Sequence, residues 1–87
     1  MKAVVSVIGR DMVGILAKVS TVCAEANTNV IEVSQSVMQD LFAMVMIIDI
    51  AQINCQLETL QARLQERLEG MTIHVMHEHI FNAMHRI

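Results

Sequence analysis

The segment Gly9-Arg10-Asp11-Met12-Val13-Gly14-Ile15 is the part of this sequence best suited to bind a ligand. It separates a β-branched run from a helical pattern, so it presents backbone amides at a helix N-terminus. Those amides, with the positive end of the helix dipole, suit a carboxylate or a phosphate. Gly14 permits close backbone approach, either to a ligand or to a neighbouring strand. The same residues also read as a capped strand-to-helix turn, with Asp11 as the N-cap and a glycine kept for packing. Both readings stand at this level.

Other chemistry is thinner. His77 and His79 fall two apart in what reads as a strand, so they share a face and would need a third donor to hold a metal. His74 and Glu78 share the opposite face, and His85 lies in the tail. Two strand-spaced ligands with no cysteine nearby read more simply as a polar strand end, and no metal or other cofactor is expected. Met38, Met44, Met46 and Met76 resemble a soft surface, but core or interface filling accounts for them. Cys23 sits on an apolar stripe. Cys55 lies near a helix start, where the dipole lowers a thiol pKa, and is the more reactive of the two. There is no CxxC, so free thiols in a reducing compartment are expected. The chain contains no nucleophile–base pair, no paired catalytic carboxylates and, with three glycines, no Gly-rich nucleotide loop.

The elements that position these residues follow from periodicity. Residues 2–8 are β-branched and predict a strand. From residue 15, Ile15, Leu16, Val19, Val22, Cys23 and Ala26 share one helical face, and Asn27-Thr28-Asn29 ends that helix. Residues 29–38 alternate Ile31, Val33 and Val37 against Glu32, Ser34 and Ser36, the pattern of a half-exposed edge strand. Gln39-Asp40 makes the turn. Residues 41–50 are apolar on both faces and belong mid-sheet. Asn54 is the expected cap of a second helix carrying Leu57, Leu60, Leu64 and Leu68, with Gly70 at the C′ stop. Residues 71–79 read as a last strand with Met71, Ile73 and Val75 on one side, and 80–87 as a helical turn or a loose end.

The order β-α-β-β-α-β predicts an α+β, ferredoxin-like sandwich. Right-handed crossovers give a four-stranded antiparallel sheet of order 4-1-3-2, with both helices on one face. Val4, Ile8, Leu41, Val45, Ile47 and Met76 then project from the other. Residues 1–87 make one domain, since 87 residues leave no room for a second core. The chain is 54% apolar and 17% charged, too hydrophobic for disorder. Its longest apolar run, Leu41 to Ile48, is far short of a membrane span, and no signal-peptide core precedes it, so a cytoplasmic protein is expected. The net charge is −3 and the six basic residues are scattered, which excludes a stripe for direct nucleic-acid binding. The uncovered apolar surface predicts a homodimer or larger homo-oligomer.

Gly-Arg-Asp-Met-Val-Gly-Ile-Leu, followed by a helix and then Asn27-Thr28-Asn29-Val30-Ile31 and Ser34-Gln35-Ser36, resembles the ACT domain along the whole chain. The C-terminal stretch His77 to Ile87 is similar to the ending of small single-ACT proteins near the glycine-cleavage-system transcriptional repressor group. The resemblance implies an amino-acid site at a subunit interface, lined by Asp11, Met12, Val13, Gly14, Ile15 and Leu16. Backbone amides there would take the ligand's carboxylate, and Asn29 with Asn27 would accept from its ammonium. It equally implies that the chain can serve as a ligand-free dimerisation or docking module, and that a separate, unknown protein partner reads any signal. Acylphosphatase shares the topology and uses an arginine in the same loop. Here Arg10 opens the loop rather than following it, and Asp11 beside it would repel a phosphate, so the expectation is a non-enzymatic regulatory module.

Overall fold

A computed structural model describes residues 1–84. Its elements are β1 (Lys2–Arg10), α1 (Ile15–Glu25), β2 (Asn29–Met38), β3 (Leu41–Asp49), α2 (Leu57–Arg67), β4 (Thr72–His77) and α3 (Glu78–Met84). All strand pairs are antiparallel and the sheet order is β2-β3-β1-β4, as the polarity of the strands predicts. Leu41–Asp49, apolar up to its last residue, takes a central place where both edges are hydrogen-bonded. Residues 29–38, with Glu32, Ser34 and Ser36, take an outer one.

The core lies on one face of the sheet. Ala3, Val5 and Val7 of β1 alternate inward with Phe42, Met44, Met46 and Ile48 of β3 and Ile73 of β4. Ile15, Val19, Val22 and Cys23 of α1 and Leu60 and Leu64 of α2, with Leu68 just beyond, close over them. All of these are buried, and no charged or polar side chain is buried among the described residues. Gly9 packs closely on Met71: a Cβ there would stand 2.6 Å from the flexible Met71 Sδ, which would have to move, and 3.3 Å from Met71 Cα.

Several expectations shift. Met44 and Met46 are core, but Met38 is 66% exposed at the edge. Leu16 leaves the helical stripe and is 39% exposed. Asn54 does not cap α2; Gln56 is the N-cap, and the Asn54 amide donates to the Glu25 carbonyl at 3.0 Å instead. Leu68 is the C-cap of α2, so Gly70, at φ 84°, falls one residue beyond C′. The last strand ends at His77, and the following residues turn into α3, which packs against β1 and β4. Val4 lies on the face away from α1 and α2, as predicted, yet is buried between its half-buried cross-strand partners Ile47 and Met76. Ile8, Leu41 and Val45 on that face stay well exposed.

The two outer strands are finished differently. β4 is six residues long, its Val75 N–H donates to Gln61 Oε1 at 2.9 Å, and Gln65 Nε2 donates to the carbonyl of Met71, just before the strand. β2 is ten residues long and exposed along almost its whole length, with one register shift between Val30 and Glu32. A bulge on an exposed edge is a common way to twist it.

Leu64 is fully buried between α2 and the sheet. Leu64→Ala should cost about 2–5 kcal/mol through lost burial and the cavity left behind. Urea denaturation should show a lower midpoint at unchanged slope.

Candidate functional site

The β1–α1 connection is held by the β2–β3 turn, because the Asp11 backbone N–H donates to the Asp40 carbonyl at 2.8 Å. That contact corrects the expected cap: the N-cap of α1 is Gly14, at φ 84° and ψ 14°, and no side chain caps the helix. Asp11 is drawn to the hairpin instead. Gly14 is there for its left-handed backbone rather than for packing, since a Cβ would meet nothing within 4 Å. The first-turn amides of α1 therefore lack a side-chain acceptor. Around them Asp11, Met12, Val13, Gly14 and Leu16 are exposed, Val13 at 99%, while Ile15 turns into the core. One end of the molecule thus offers backbone donors rimmed by apolar side chains.

The other end of α1 is built differently. Asn27 adopts φ 60° just beyond the C-cap Ala26. Its N–H donates to Ala24 O, and the Thr28 N–H donates to Cys23 O, so the helix closes with the paired bonds of a Schellman turn. The Asn27 Nδ2 donates to the Gln52 carbonyl at 2.9 Å, tying this turn to the segment after β3. Asp49 Oδ1 accepts from the Ala51 N–H at 2.9 Å. Between them lies a cleft of about 400 Å³ lined by Ala24, Asn27, Thr28, Asn29, Asp49, Ala51 and Gln52. Asp49 is its charged residue, and no cationic side chain lines it. It is also the lone charge in the 41–50 stretch, a signal that sequence reasoning passed over.

The two ends are far apart within one chain. Asn29 pairs with Asp49 and Asp49 with Lys2 at one end of the sheet, whereas Met38 pairs with Leu41 and Leu41 with Arg10 at the other. The nine-residue β1 spans about 26 Å at ~3.3 Å per step. Asp11 to Leu16 therefore form one cluster, and Asn27 with Asn29 form another.

His77 closes β4 while His79 lies in α3, so the two histidines do not share a strand face. They line a separate cavity of about 470 Å³ with Lys2 and Glu78. Among the described residues no three His, Cys, Asp or Glu side chains cluster as a metal site would require, and His85 lies outside the described residues. Nor is any described helix long and apolar enough to cross a membrane. Cys55 is half-buried, with the Arg63 guanidinium donating to its Sγ at 3.8 Å. Cys23 is buried, and desolvation raises its thiol pKa against a smaller lowering from Thr28.

Folded Cys23 thus keeps its proton at pH values where the unfolded thiol, titrating near ~8.5, has lost it. Its contribution to stability is complete below that range and is lost as pH climbs toward the raised value. A disulfide reagent at pH 8 should label Cys55 in the native protein and Cys23 only in denaturant; equal native rates would contradict the burial.

A family model described as the ACT domain matches residues 2–78. A UPF0237 protein of Methanocaldococcus jannaschii is 46% identical over 99% of this chain and 98% of its own length. The solved structure of an ACT domain protein from Streptococcus pneumoniae superposes with a TM-score of 0.77 at 29% identity, covering 98% of both chains. A structure described as a glycine cleavage system transcriptional repressor superposes with a TM-score of 0.70 over 85% of this chain and 43% of that one. At 20% identity, that last likeness is one of fold.

Proposed function

Because the chain belongs to the ACT domain family, we propose that it is a non-enzymatic regulatory module that binds a small amino acid at a homodimer interface and signals to a separate protein. One observation carries the reading: a donor-rich loop and an acceptor-rich turn, the two halves a zwitterion needs, sit at opposite ends of an unpaired edge strand. A two-fold axis through the middle of β2 pairs it antiparallel with its copy. The Asn29 end of one strand then abuts the Met38 end of the other, on the side where Asp40 holds the β1–α1 loop. Each chain's Asp11–Leu16 segment meets Asn27 and Asn29 of the partner subunit. The first-turn amides of α1 take the ligand's carboxylate, and the partner's asparagine oxygens take its ammonium.

The free edge is β2 rather than β4, whose Val75 N–H is already taken by Gln61. Exposed Ile31, Val33 and Val37 on β2 add apolar area beside the strand ladder. The −3 charge and scattered basic residues favour a protein reader over DNA, and a cytoplasmic setting fits the two free thiols.

Two measurements test this. Isotope-labelled protein titrated with each of the twenty proteinogenic amino acids should show saturable amide shifts at Asp11–Leu16 and at Asn27–Asn29 for one or two of them. A silent panel on a folded dimer would replace the sensor with a docking module. Val33→Lys brings two like charges near the proposed axis and should weaken dimerisation about tenfold or more in sedimentation, with the fold intact by circular dichroism. A Val33→Lys dimer as tight as wild type would move the interface elsewhere.

A further inference from the structure

We infer that the Asp49 carboxylate is the charged anchor for the ligand's ammonium, in the cleft between the end of α1, the start of β2 and the β3–α2 connection. The inference rests on the amino-acid reading above and adds to it the residue that fixes which way the zwitterion lies. The Asn27 Nδ2 donates to Gln52 O, which orients that side chain and leaves its Oδ1 as a neutral acceptor. Asn29 offers a neutral oxygen. Asp49 offers a full negative charge, half-buried and already oriented by the Ala51 N–H on one oxygen, with the other free among the described residues. Lys2, its cross-strand neighbour on β1, makes no ion pair with it. The one ion pair among the described residues joins Arg67 to Glu25, so the cleft's charge is not spent internally.

The donor set selects the cation. One carboxylate with amide oxygens is too little negative charge and too few ligands for a dehydrated divalent metal. It matches a primary ammonium, which presents three N–H donors and a single charge. The α1 dipole acts in the same sense. Its negative end lies beside the cleft, which Ala24 lines, and its positive end lies at Gly14. A zwitterion between the N-terminus of one α1 and the cleft of the other subunit is therefore oriented at both ends.

The test compares each amino acid that shifts the wild-type spectrum with its N-acetyl derivative, which keeps the carboxylate and loses the ammonium. Wild-type protein should bind the free amino acid about tenfold or more tighter than the N-acetyl form, as befits a charged hydrogen bond. Asp49→Asn should bind the free amino acid about tenfold more weakly and the N-acetyl form unchanged, removing the discrimination. An asparagine Oδ1 still accepts from Ala51, so this variant preserves the turn, and its amide spectrum checks that. Free amino acid bound equally well by Asp49→Asn would overturn the role of Asp49 while leaving the amino-acid site standing. No amino acid bound by wild type would remove the site itself, and the inference with it.

Discussion

The seating of α1 across the inner face of the sheet determines where each half of the site can be. Val19, Val22 and Cys23 meet the inward row of β1 and β3, and that contact fixes the helix direction opposite to β1. An eleven-residue helix covers about 16 Å at 1.5 Å per residue, most of the way back along the strand it left. The loop before it and the turn after it must therefore lie at opposite ends of the sheet. One chain cannot close a single small ligand between them. On the proposed pairing a second copy would, and ligand binding would then be linked to association, since whatever binds only the paired state stabilises it by mass action.

Much of the architecture was legible because burial leaves a periodic trace. Glu32, Ser34 and Ser36 marked β2 as an edge, and unbroken apolarity from Leu41 to Ile48 marked β3 as central. Leu60, Leu64 and Leu68 repeat at helical spacing and are all buried. The misses arose where two residues compete for one local job and a distant partner decides. Asp11 and Gly14 both suit an N-cap, but Asp40, remote in sequence, holds the Asp11 amide. Asn54 looks like a cap until the carbonyl of Glu25 claims its amide.

The candidate site was legible in its family-like half and opaque in the other. Gly-Arg-Asp-Met-Val-Gly identified the loop directly. Asp49 was hidden because nothing local explains it: a carboxylate ending an apolar strand is unremarkable until the α1 turn closes beside it. His77 and His79 failed for the converse reason. Their spacing fitted a strand, and the chain left the strand between them to form α3.

Gln61 has a consequence for how far such a sheet can grow. A chain with two open antiparallel edges, each able to pair with its own copy, has no stopping point; alternate β2 and β4 junctions would continue as a ribbon. With the Val75 amide occupied from α2, one outward-facing donor of β4 is withdrawn from such pairing. On the proposed β2 pairing, that contact disfavours extension beyond a pair, and it comes from one glutamine on a helix.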